Sequence, residues 1–72
     1  MAKTKVYYEV AQGDWYVGVD KRYESKEEAE QVFERCKETA VWASLKKVTV
    51  VKHLFKIDVE EVMLDSYDVE EV

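Results

Sequence analysis

Hydrophobic and polar residues alternate from position 4 to position 20, the two-residue period of a strand half covered by a core. Val6, Tyr8 and Val10 fall on one side, and Lys5, Tyr7, Glu9 and Ala11 on the other. After Gln12-Gly13-Asp14 the alternation resumes, with Trp15, Val17 and Val19 against Tyr16, Gly18 and Asp20. A two-residue loop at Gly13-Asp14 would set Gln12 opposite Trp15, Val10 opposite Val17 and Tyr8 opposite Val19. Both apolar sets then share a face, and a leading glycine suits the mirror-image turn of such hairpins.

The period changes after Glu24. Ser25-Lys26-Glu27-Glu28 matches a capping box, in which the Ser25 hydroxyl accepts from the Glu28 amide, and Glu27, Glu28 and Glu30 favour the positive end of a helix dipole. Ala29, Val32, Phe33, Cys36 and Ala40 then recur at helical spacing, while Glu30, Gln31, Glu34, Arg35, Lys37 and Glu38 take the opposite face. The spacing predicts an amphipathic helix over about 25–41 that lies on a sheet.

Residues 41–45 read either as the last helical turn or as a strand lead-in. Val48-Thr49-Val50-Val51 is a strand signal. Beyond it the phase flips, since Val48, Val50 and Leu54 share a parity that Phe55, Ile57 and Val59 do not. A bulge, a tight turn near Lys52-His53 or two separate strands would each produce that flip. Asp58-Val59-Glu60-Glu61 is a second capping-box match, and Val59, Val62, Met63, Ser66 and Tyr67 follow helical spacing. The favoured reading is strand to about 59 and a short helical turn beyond. The expected fold is α+β: an antiparallel sheet, made of the N-terminal hairpin plus one or two C-terminal strands, covered on one face by a single helix. Residues 1–67 form the expected domain and 68–72 a frayed acidic tail.

Composition narrows how this fold is held. A chain of 72 residues buries only roughly 60% of the surface its unfolded form exposes, so its core is thin. One cysteine, Cys36, rules out an internal disulfide, and Cys36 with His53 makes too few soft ligands for a metal cage. Neither a metal nor another cofactor is expected. The lone thiol, and an N-terminus without a signal-peptide apolar run, suggest a cytoplasmic protein with no membrane partner. The charge is uneven. Positions 1–56 carry all 11 Lys and Arg against nine acids, a net of +2, while 57–72 carry seven acids and no base, a net of −7.

Candidate chemistry is sparse, and no catalytic residue is assigned. Cys36 sits within the apolar helix stripe, where a free thiol acts as a small hydrophobe. His53 reads as a solvated strand residue between lysines. The adjacent pairs Glu27/Glu28, Glu60/Glu61 and Glu70/Glu71 point apart, as neighbours on a helix or strand do, and so form no acid/base pair. Gly13 and Gly18 build no phosphate loop. Binding candidates remain. Tyr7 and Tyr16, near Lys3 and Lys5, suit protein contact or the stacking of single-stranded nucleic acid, with protein the stronger reading. Trp42 either closes the core beside Trp15 or, left exposed, anchors an interface. Glu30, Glu34 and Glu38, with Glu27 and the acidic C-terminus, either keep the protein soluble or mimic a phosphate backbone.

The hairpin with Trp15-Tyr16-Val17, the helix opening at Tyr23-Glu24-Ser25-Lys26-Glu27-Glu28-Ala29-Glu30 and the Val48-Thr49-Val50-Val51 strand together resemble small bacteriophage-encoded proteins over about residues 6–51. The resemblance implies a context, the binding and inhibition of a host or defence protein, and carries no site with it. Three functions are therefore open: a non-catalytic protein-binding module, a nucleic-acid accessory domain using Tyr7, Tyr16 and Lys46/Lys47/Lys52/Lys56, and a subunit that acts as a homo-oligomer through an exposed strand edge.

Overall fold

The computed structural model describes residues 3–69. Its elements run β1 (Lys3–Gly13), β2 (Gly18–Tyr23), α1 (Lys26–Thr39), β3 (Trp42–Lys52) and β4 (Ile57–Asp68). The strands pair antiparallel in the order β2-β1-β3-β4, and α1 lies over β1, β2 and β3. The α+β class, with one helix on one face of an antiparallel sheet, is the observed one.

The helix follows its sequence signals. Ser25 is the N-cap, its hydroxyl accepting from the Glu28 amide at 3.3 Å. Ala29, Phe33 and Cys36 are buried, with Val32 and Ala40 packed beside them. Val10 from β1 and Ala43 and Leu45 from β3 complete the cluster. The helix stops at Thr39, because the backbone at Val41 is claimed by the sheet: its N–H donates to Gly13 O at 3.0 Å and its carbonyl accepts from Val69 N–H at 2.9 Å. Residues 42–45 are strand, the second of the two readings.

The N-terminal hairpin forms in a different register from the expected one. Gly13 pairs with Gly18, Gln12 with Val19, Val10 with Lys21 and Tyr8 with Tyr23. Residues 14–17 are the loop, so Trp15, Tyr16 and Val17 leave the ladder. Two interactions account for this, one local and one distant in sequence. The Asp14 carboxylate accepts from the N–H groups of Tyr16 (2.9 Å) and Val17 (2.8 Å), while its own N–H donates to Val17 O at 2.9 Å. Such an Asx arrangement closes a longer turn. The Trp42 ring then covers the two paired glycines: a Cβ at Gly18 would stand 2.7 Å from Trp42 Cζ2. Close approach, and not a left-handed backbone, explains the glycines, since neither has positive φ. The displacement is even, so Val10 and Val19 keep their shared face.

The C-terminal half differs more. The phase flip at Lys52-His53 is a tight turn, closed by His53 N–H donating to Lys56 O at 2.8 Å. No helical turn follows, because β4 runs unbroken from Ile57 to Asp68. The pairings Lys46↔Met63 and Leu45↔Asp65 leave Leu64 as an extra residue, a β-bulge. The misleading periodicity arises because the apolar residues stand on both faces: Val59 and Met63 point to one side of β4 and Val62 and Tyr67 to the other, so one strand imitates helical spacing. The expected frayed tail begins differently too: Asp68 pairs with Trp42, Val69 bonds to Val41, and residues 70–72 lie outside the described part.

The molecule is elongated. Its radius of gyration is 14.0 Å and its extents 47 × 24 × 18 Å, against about 11 Å for a compact domain of this length. The cause is a mismatch of element lengths. A helix of 14 residues spans about 21 Å and a strand of 11 about 37 Å, so the sheet outruns its cover by roughly 15 Å.

Candidate partner-binding edge

The uncovered end of the sheet consists of the first half of β1, the second half of β3 and most of β4. Nothing pairs with the outer side of β4 among the described residues. Register fixes where its side chains point. Ala43 and Leu45 face the helix, β3 alternates regularly, and the pairs Asp58↔Val51, Glu60↔Thr49, Val62↔Lys47, Asp65↔Leu45 and Tyr67↔Ala43 put those β4 residues on the same side. Ile57, Val59, Glu61 and Met63 face the other way, opposite Lys52, Val50, Val48 and Lys46.

Exposure and charge give this strand its character. Ile57, Val59, Val62, Met63 and Leu64 are all exposed. The adjoining turn adds Leu54, 86% exposed, and Phe55, 94% exposed. Between Ile57 and Asp68 stand five carboxylates and no base. Some have partners nearby: Glu61 lies 3.7 Å from Lys46 Nζ, and Asp58 lies 2.9 Å from His53 Nε2 and 3.8 Å from Lys56 Nζ. Glu60 and Asp65 have no ion-pair partner among the described residues. Beside Asp65, a groove of about 380 Å³ opens between α1 and β4. Phe33 and Leu45 contribute apolar lining, and Glu30, Glu34, Asp65 and Arg35 are charged residues around it.

The residues singled out from the sequence are scattered. Glu30 and Glu34 reach this groove, with Glu34 bonded to Lys37 at 3.2 Å, whereas Glu38 is exposed further along the helix and does not line it. Tyr7 is half-buried on the face away from the helix, its ring 5.1 Å from Lys5 Nζ and 5.7 Å from Arg22 Cζ. It also lines a pocket of about 360 Å³ with Lys3, Lys5, Val50 and Lys52. The Tyr7 side chain and the Glu24 carboxylate, 3.6 Å away, hold the Lys5 ammonium above its ordinary pKa. Tyr16 is 94% exposed in the β1–β2 loop, at the opposite end of β1, so the two tyrosines do not form one stacking platform. Trp42 neither packs on Trp15 as part of the core nor stands free. Its Nε1–H donates to Asp14 O at 3.1 Å, and its ring seats the paired glycines. Lys46 and Lys47 point to opposite faces, which divides the lysine run.

Cys36 is buried, and burial raises its thiol pKa, so the geometry gives no activated nucleophile there. Among the described residues no three His, Cys, Asp or Glu side chains gather as a metal site, and no helix is long and apolar enough to cross a membrane.

The β4 edge itself was not singled out from the sequence. The available signal was a stretch with five acids, no base, no Gly and no Pro that nevertheless kept Ile57, Val59, Val62, Met63 and Leu64. An acidic tail has no use for those side chains, whereas a strand does. Comparison of the chain with models of protein families, with curated proteins and with solved structures found no match.

Proposed function

We propose that the protein is a non-catalytic binding module that captures a partner protein along the free edge of β4. One observation carries this reading: a strand of 12 residues at the rim of the sheet, beyond the helix, with its outer side unpaired among the described residues and five exposed large apolar side chains. Edge strands present a ready row of N–H and C=O groups, and folded proteins ordinarily block them. An edge left long and apolar suits the addition of a partner's strand.

The surface area agrees with this. The chain exposes 5658 Å², against about 4,700 Å² for a typical monomer of its mass. The excess of roughly 1,000 Å² is comparable to one partner's share of a standard interface. Inhibition of a host or defence protein, which the bacteriophage resemblance implies, is one use of such a module. The nucleic-acid reading keeps only the small Lys3, Lys5, Lys52 and Tyr7 patch, since Tyr16 lies elsewhere.

The test is capture from a lysate of the source cells by the wild-type chain, by a Val59→Lys/Met63→Lys variant and by a Tyr7→Ala/Tyr16→Ala variant, each verified as folded. A stoichiometric protein held by the wild type and the tyrosine variant but lost by the β4 variant is the expected result. Retention by the β4 variant with loss by the tyrosine variant would move the site to the opposite face and overturn the proposal.

A further inference from the structure

Resting on that reading, we infer that the partner segment is an extended strand with basic side chains on one face and apolar side chains on the other. It would pair with the regular stretch of β4 from Ile57 to Met63, before the bulge.

The two faces of β4 differ, and each specifies one face of the incoming strand. On the helix side stand Asp58, Glu60, Val62 and, past the bulge, Asp65. The groove next to Asp65 adds Glu30 and Glu34 around a lining that includes Phe33 and Leu45, with Arg35 the sole base in that lining. An added strand lies about 4.8 Å from β4, so its helix-side residues stand directly beside these carboxylates. Lysine or arginine beside Glu60, which has no ion-pair partner among the described residues, meets opposite charge. Where the end of the added strand passes the bulge, a basic side chain beside Asp65 can lay its aliphatic stem over the apolar lining of the groove. On the other face, Ile57, Val59 and Met63 are interrupted only by Glu61, which Lys46 already holds. Apolar side chains on the partner extend that row. The required pattern is therefore alternating basic and apolar.

The same charges argue against a second copy as the occupant. Antiparallel self-pairing of β4 would set a strand with five carboxylates and no base against itself. Like charges across a strand pair destabilise it.

An alternating lysine–valine peptide of the length of β4 is the probe, with an alternating glutamate–valine peptide and a lysine–valine peptide of block sequence as controls. Binding is followed on the full chain by amide NMR, with sedimentation of the free chain alongside. The alternating basic peptide should shift and protect β4 amides from exchange. Its affinity should fall as salt is raised, and Asp58→Asn/Glu60→Gln/Asp65→Asn should weaken it by about tenfold. The salt titration needs no variant, so it stands even if the triple variant is poorly folded. If the acidic alternating peptide or the basic block peptide protects β4 equally well, the alternating basic pattern is wrong while edge capture stands. If no alternating peptide affects β4 amides, edge addition fails with it. Self-association of the free chain with β4 amides protected would make a second copy the occupant and overturn the inference.

Discussion

β2 and β4 both lie at the rim of the sheet, yet β2 has six residues and β4 has 12. β2 carries the usual protections of an edge: it is short, it runs straight into the helix segment, and it bears Asp20, Lys21 and Arg22 in sequence. Arg22 is also held inward, 3.4 Å from Glu9 and over the Tyr7 ring. β4 has two such devices, its carboxylates and the bulge at Leu64, which interrupts the edge near its far end. The rest of it is regular and apolar on one face, with acids of one sign throughout. The two edges thus differ in length and in charge: β2 offers six residues with both signs of charge, and β4 offers 12 with acids alone.

The largest expected effect separates the covered core from the uncovered end. Phe33, 1% exposed, is the hub of the helix–sheet cluster, and Phe33→Ala should lower unfolding stability by about 3–5 kcal/mol. Met63→Ala removes a side chain of similar reach that is 53% exposed, and should cost less than about 1 kcal/mol. Urea unfolding of the two variants checks the contrast. A Met63→Ala cost near that of Phe33→Ala would mean that β4 is packed in solution, and the comparison of edges would collapse.

Next in size is the turn that fixes β2. Gly18→Ala drives a Cβ into the Trp42 ring, and Gly13→Ala drives one into the backbone, 2.8 Å from Gly18 Cα. Gly13→Ala should therefore be the worse of the two, at about 2–3 kcal/mol, because an indole can tilt and a paired strand cannot. The Gly18→Ala loss should be partly recovered in a Gly18→Ala/Trp42→Leu double variant, measured as a double-mutant cycle.

A subtler contrast lies in local opening. β1 and β3 are each paired on both sides, whereas β4 is paired on one and meets little of the helix. Amides of β4 should exchange with solvent well before those of β3 and β1 under native conditions, at about the rate set by local opening. A bound partner strand should erase that difference. Equal protection across all four strands in the free chain would show that the edge is already occupied.

How far the sequence predicted these features follows from how local each signal was. The helix was legible because its cap and apolar stripe lie within its own residues, from Ser25 to Ala40. The strand faces of the hairpin were legible from parity alone. Its register was not, because it depends on Trp42, 28 residues from the Asp14 carbonyl it binds. β4 was hidden for the opposite reason: its apolar residues, Val59 and Met63 on one face and Val62 and Tyr67 on the other, fall at helical spacing although they belong to one strand. Its carboxylates do not discriminate, since charge without a known neighbour looks the same on a strand or on a helical turn. Of the binding candidates, Glu30 and Glu34 do border the groove beside β4. That placement could be guessed from the polar helix face, though not the strand it faces.

The smallest expected effect tests whether the β2 turn is held by the charge of Asp14 or only by its shape. Two backbone N–H groups, from Tyr16 and then Val17, donate to the Asp14 carboxylate and hold its pKa below the ordinary value. A depressed carboxylate contributes stability that is present above its unfolded pKa, about 3.9, and lost as pH falls through the folded value. Asp14→Asn keeps an acceptor oxygen in the same place and removes the charge. Wild type should thus exceed Asp14→Asn slightly in urea midpoint near neutral pH, with the gap closing in acid below about pH 4. Because the site is open to solvent, the gap should also narrow little by little as salt is added. A gap that persists unchanged into strong acid would show that geometry alone holds the turn. The short edge of the sheet would then owe its register to the Trp42–glycine seat and nothing to charge.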